Sequence, residues 1–224
     1  MDIPNIQRRY LGIKFFDMQE HMEQFAKGLI YFSTTGSLNL GNNSEMNYNE
    51  YEIPVFNIPV TINDIELPCK SYTLSYNWQK MIPLFCYYRL DDTNTNDYGN
   101  AIKIQIPNKF SENGLKKFAA IFELSDFMNR LDLSCQHKCG YKHVNIQYID
   151  YSKQDNSWAK IVSSNLYGFL EIHDIKHSYQ NESRIILTEI FVNEPMQLDL
   201  GKWRNKPLLL QHYSDGWHFI KNLF

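Results

Sequence analysis

The chain has 224 residues and a net charge of −3 at neutral pH. That balance argues against a general nucleic-acid binder, which needs a basic surface to release phosphate counterions, and leaves room for a local basic patch. No apolar run approaches the roughly 18 residues that a spanning helix requires, so no membrane partner is expected. With 15 Tyr and 14 Phe, the chain has material for a large core. No stretch reads as a linker, and we expect one domain over residues 1–224. The start Met1-Asp2-Ile3-Pro4-Asn5 lacks a signal-peptide pattern. Cys69, Cys86, Cys135 and Cys139 are therefore expected to be reduced, and the protein cytoplasmic.

Tyr10 to Phe16 reads as a strand. Asp17 is placed as a helix N-cap, with Glu20 at capping-box spacing. Met18, Met22 and Phe25 mark one face of a helix over Met18 to Lys27, which Gly28 ends. Leu29 to Thr35 returns as a strand. Residues 36–50 form a polar loop rich in Gly and Asn. Tyr51 to Thr61 contains Pro54 and Pro59 and reads as an edge strand. Asn63-Asp64 is a turn signal, with a hairpin completed from Ile65. Pro83 to Arg89 is a buried-strand candidate. Asp91 to Asn100 reads as a second polar loop, followed by a strand over Ala101 to Ile106. Ser111 to Leu133 reads as one or two helices, with Ser125 capping the second. Val144 to Tyr151 is a strand, Trp158 to Leu170 a helix, and Arg184 to Val192 a strand. Met196 to Leu200 and Trp217 to Ile220 are short strands. Strands outnumber helices in mixed order, so the expected class is α+β: mixed, mostly antiparallel sheet with a few flanking helices.

The chemistry concentrates in Tyr179-Gln180-Asn181-Glu182-Ser183-Arg184. In a strand, Gln180, Glu182 and Arg184 project from one face. We expect that face to border a cleft rather than open solvent. A carboxylate there can orient a ribose hydroxyl or stabilise an oxocarbenium-like transition state. The structural alternative is that Glu182 and Arg184 pair with charges on neighbouring strands. Tyr31-Phe32-Ser33-Thr34-Thr35 places hydroxyls at a strand end, where they can face a ligand or cap the following turn. Cys135, His137, Cys139 and His143 are zinc-ligand types within nine residues. Structural zinc sites join separated ligand pairs, and one crowded cluster closes little, so zinc is not expected here. The remaining histidines match neither HExxH nor another catalytic spacing. Of these, His177 lies three residues before Gln180.

The order of these pieces resembles a group of uncharacterised bacterial and phage proteins. In that group an early G-x-[IL]-Y-[FM]-[NS] strand, here Gly28 to Ser33, is answered late by [WY]-x-x-E-x-R, here Tyr179 to Arg184. The bias towards Asn, Ile, Lys and Tyr fits AT-rich coding DNA from such a source. More distantly, the order is similar to the ADP-ribosyltransferase fold. That resemblance implies an NAD-consuming enzyme of bacterium–phage conflict, acting as a toxin or in bacterial defence. Glu182 would be the catalytic carboxylate and Gln180 its partner. Tyr31, Ser33 and Thr34 would shape the nicotinamide-ribose pocket. Lys14 and Arg184 would join the NAD-binding set, with Lys14 or Arg9 near phosphate. The position that holds His or Arg in that fold is Lys14 here, and Lys lacks a bidentate guanidinium. A second expectation follows: a non-catalytic phage or mobile-element protein that binds and inhibits a host macromolecule, protein or nucleic acid. It would grip that partner through the 36–50 and 91–100 loops.

Overall fold

The computed structural model describes residues 11–39, 53–56, 60–62, 65–67, 71–74, 77–92, 94–98, 101–110, 116–136, 138–153, 156 and 158–220. The opening reads β1 (Leu11–Phe16), α1 (Gln19–Ala26) and β2 (Leu29–Thr34). Four short strands follow: β3 (Ile53–Phe56), β4 (Val60–Ile62), β5 (Ile65–Leu67) and β6 (Ser71–Leu74). They pair as β3 with β6 and β4 with β5, the latter as the hairpin expected there. Next come β7 (Pro83–Arg89), the hairpin strands β8 (Thr95–Tyr98) and β9 (Ala101–Ile104), β10 (Phe118–Glu123) and α2 (Leu124–Cys135). The last third holds β11 (Gly140–Asn145), β12 (Gln147–Ile149), α3 (Ala159–Ser163), β13 (Ile172–Asp174) and β14 (Glu182–Thr188). It closes with β15 (Met196–Asp199), β16 (Leu208–Tyr213) and β17 (Gly216–Phe219).

Among the described residues, nine strands form one sheet along β11-β14-β7-β1-β10-β16-β17, with β2 branching from β7 and β15 from β2. Every pairing in it is antiparallel. The class is thus mixed α+β, mostly antiparallel with few helices. β7 is the axis because Pro-Leu-Phe-Cys-Tyr-Tyr-Arg supplies apolar material to both faces. On one face, Phe85, Tyr87, Phe122, Ile185 and Leu187 pack with Phe25, Phe127 and Trp203. On the other face, alternation sends Ile13, Tyr88 and Ile121 into one apolar cluster. It sends Val144 and Ile186 into a second, with Trp158 and Phe169. Gly28 turns the chain from α1 into β2 at φ +95°, and a Cβ there would lie 1.9 Å from the Gly201 carbonyl oxygen. Only glycine meets both demands.

Several expectations need correction. The N-cap of α1 is Met18, with no side-chain cap, because Lys116 holds Asp17 at 2.7 Å. Part of the helix expected over Ser111 to Leu133 is strand β10, sandwiched between β1 and β16. Among the described residues there, only α2 is helical, and it starts from Glu123 rather than Ser125. The 91–100 segment is half of a hairpin, with Thr95 to Tyr98 paired to β9. The helix over Trp158 to Leu170 shrinks to the five residues of α3 and a 3₁₀ turn at Gly168–Glu171. The strand expected from Val144 breaks at Ile146 into β11 and β12. Tyr10 and most of the 36–50 loop lie outside the described residues.

Candidate functional site

Glu182 and Arg184 lie on β14, between β11 and β7, and alternation puts both side chains on one face. They form a buried ion pair. Arg184 Nε donates to Glu182 Oε1 at 2.6 Å and Nη2 to Oε2 at 3.4 Å. Arg184 Nη1 donates to the Leu170 carbonyl at 3.3 Å. Arg184 is 0% exposed and Glu182 8%. The pair sits where the two apolar clusters of that face meet, since Glu182 is opposite Tyr88 and Ile186 follows Arg184.

Three more groups close around the carboxylate. Glu182 N donates to the Tyr148 hydroxyl at 2.8 Å. The Cys86 thiol, opposite Arg184 in register, hydrogen-bonds the carboxylate. The buried His173 and His177 rings pack at 4.5 Å between centroids, and His173 adds positive potential towards Glu182. Burial alone would raise the Glu182 pKa, but the Arg184 charge and hydrogen bonds outweigh it and hold the carboxyl below its ordinary range. Burial pushes the Cys86 thiol well up, with the Glu182 charge adding to it. Glu182 is thus a fixed anion near neutral pH, and Cys86 a protonated thiol.

Gln180 is not part of this array. It ends a 3₁₀ turn, Ile175–Gln180, and Asn181 takes a left-handed conformation at φ 37°. That reversal breaks the alternation the sequence suggested, so Gln180 does not share the strand face of Glu182 and Arg184. The turn is set by Asp174, whose carboxylate accepts from Lys176 N.

Lys14 is also committed. β7 pairs with β1 near Tyr88 and Arg89 and with β2 near Pro83 and Leu84. The Cys86 carbonyl falls in the fork between them, and Lys14 Nζ donates to it at 2.7 Å. The ammonium also lies 4.7 Å from the Phe85 ring centroid. Burial lowers the Lys14 pKa. The hydroxyl element sits at the other end of β7. Ser33 pairs with Leu84 and Glu182 with Tyr88, a separation of about 13 Å along the strand at about 3.3 Å per residue. Thr34 is buried and exchanges hydrogen bonds with Ser37 across the turn. Tyr31 is 52% exposed and stacks with His21. Arg9 lies outside the described residues.

Of the cysteine–histidine cluster, Cys135 and Cys139 stay side by side, with Cys139 N donating to the Cys135 carbonyl at 3.2 Å. Cys135 closes α2 inside the main core. His143 Nε2 hydrogen-bonds Tyr87 at 2.7 Å. His137 lies outside the described residues, among which no three His, Cys, Asp or Glu side chains group for a metal.

Beside this packed array the sheet end opens into a cleft of about 490 Å³. Its wall includes Tyr88, the neighbour of Glu182 across the sheet, and Asn181, its neighbour in the chain. Asn94 and Gln105, at the base of the β8–β9 hairpin, complete another side. The cleft thus adjoins the start of β14, while Glu182 itself is not among its lining residues. The sequence reading missed Tyr88 and Gln105, and its one usable signal was the density of Asn between Asp91 and Asn100. A scan of family models gave no match, and neither curated proteins nor solved structures match this chain.

Proposed function

We propose that this chain is a non-catalytic binding protein that engages its partner through the cleft between the β8–β9 hairpin and the 175–181 turn. One observation carries the reading: the groups an ADP-ribosyl transfer would use are already spent on the fold. Both Glu182 oxygens are held by Arg184 in the interior. Lys14 serves a backbone carbonyl, and the register partner of Ser33, Leu84, is about 13 Å along β7 from that of Glu182, Tyr88. These residues do not fit NAD as one site. A catalytic carboxylate must also reach the ribose, and reaching it here would strip a buried guanidinium of its counter-charge. The likeness to the ADP-ribosyltransferase fold therefore carries no catalytic role to Glu182 in this proposal. The partner class that the resemblance suggests, a host macromolecule met in bacterium–phage conflict, belongs to this proposal.

The test is nicotinamide release and label transfer from NAD, with host lysate as acceptor, for wild type and Glu182→Gln. Background levels in both are expected. Release by wild type that disappears in a folded Glu182→Gln protein would overturn the proposal in favour of transfer.

A further inference from the structure

We infer that the cleft takes a neutral, hydroxyl-rich ligand, a saccharide. This deepens the binding reading and rests on it. The cleft's described lining carries no charged side chain. At its mouth it presents the exposed amides of Gln105 and Asn108 and the hydroxyls of Ser178 and Tyr179, while Asn94, Asn181 and Tyr88 form the wall behind them. Amides and hydroxyls both donate and accept, the requirement set by a ring of vicinal hydroxyls. Ile106 and Pro107 add an apolar strip for the C–H face of a sugar. At about 490 Å³ the space falls in the range of small-molecule sites.

Two features argue against other small ligands. A phosphate or carboxylate needs a counter-charge, and no cationic side chain is among the lining residues. Lys109 Nζ sits 4.7 Å over the Tyr179 ring, and Arg89 pairs with Asp91 at 3.3 Å and donates to Asn181 at 2.9 Å. A planar base needs an open ring face. Tyr179 already has Lys109 on its ring and Phe110 against it at 5.7 Å, while Tyr88 is buried with Phe110 against it edge-on.

The wall is also built in advance. Asn181 Nδ2 donates to the Arg89 carbonyl at 2.8 Å and to Asp91 at 2.9 Å. Asn94 Nδ2 donates to the Arg89 carbonyl at 2.9 Å, and Asn94 Oδ1 accepts from Asp91 N at 2.9 Å. Gln105 N donates to the Asn94 carbonyl at 2.8 Å, which pins the hairpin base. Gln105 and Ser178 are exposed at the mouth, so they can meet a ligand without unfolding anything. A site held rigid by such bonds loses little entropy on binding.

The experiment is an NMR titration with glucose, galactose, N-acetylglucosamine, maltose and lactose. Glucose 6-phosphate and uridine serve as charged and planar comparisons. We expect one neutral sugar to shift the amides around Gln105, Ser178 and Asn181 with Kd on the order of 1–10 mM for a single ring. Gln105→Ala and Ser178→Ala should each weaken it about fivefold, the effect of one neutral hydrogen bond, with melting temperature unchanged. Immobilised oligosaccharides separate the sources: tighter retention than the free sugar identifies a glycan on a macromolecule, and equal affinity a free sugar. The inference is overturned if no sugar shifts these amides, if uridine or glucose 6-phosphate binds more tightly, or if both alanine variants bind as wild type. Nicotinamide release would instead count against the binding reading and leave the sugar result standing.

Discussion

Removing Arg184 should cost more than neutralising Glu182, because the two losses differ in kind. Arg184→Ala leaves a carboxylate buried without its counter-charge and opens a void where a fully buried side chain stood. Breaking a buried pair from one side costs about 3–5 kcal/mol, out of a total stability of roughly 5–15 kcal/mol. Glu182→Gln keeps the shape and an oxygen that can still accept from Arg184 Nε, so a loss of about 2–4 kcal/mol is expected. The double variant Arg184→Met with Glu182→Gln removes the charges and fills most of the volume, and should lose only about 0–2 kcal/mol. The coupling over the cycle of Arg184→Met, Glu182→Gln and their double variant should then exceed about 2 kcal/mol. Urea unfolding followed by circular dichroism at pH 7.5 measures each variant, with Arg184→Met standing in if the alanine variant does not fold. The pair also has a pH signature. The Glu182 carboxyl is held below its unfolded value, so its contribution is complete above about pH 4.3. It is lost as pH falls from there through the folded value, and Glu182→Gln should flatten that acid limb. Additive losses with coupling under about 0.5 kcal/mol, or a Glu182→Gln loss equal to that of Arg184→Ala, would refute the reasoning.

Two further outcomes follow from the geometry. Tyr148→Phe removes the acceptor of the Glu182 amide and should cost about 1–3 kcal/mol, read by the same urea transition with no new pH dependence. Gly28→Ala meets both the positive φ and the 1.9 Å approach to Gly201. It should cost at least about 2 kcal/mol, a fall of roughly 4–8 °C in melting temperature for a chain of this size.

The legible parts of the fold were those whose local signals agreed with the tertiary outcome. Pro83 to Arg89 was read with its bounds intact, because a continuous apolar run after a proline suits a strand covered on both faces. β10 was misread because Phe118-Ala119-Ala120-Ile121-Phe122 has no clear period, and only its two strand neighbours decide its form. Gln180 was misplaced by an alternation that was real in sequence and broken in space. The overlooked signal was Asn181, a residue type that tolerates the left-handed region. The pairing of Glu182 with Arg184 was legible, because a carboxylate and a guanidinium two residues apart on one strand face neutralise each other and so tolerate burial. The cleft could not be read at all. Its walls come from Tyr88, from Asn94 to Asn108 and from Ser178 to Asn181, and nothing local marks residues so far apart as one surface.

The most direct test of the account is carbon-13 NMR of the Glu182 side-chain carboxyl, titrated over pH with and without NAD. The buried pair with Arg184 should make the carboxyl titrate below the ordinary glutamate range, and NAD should leave its resonance in place. An ordinary titration, or a Glu182 resonance that moves on adding NAD while the fold is intact, would contradict it.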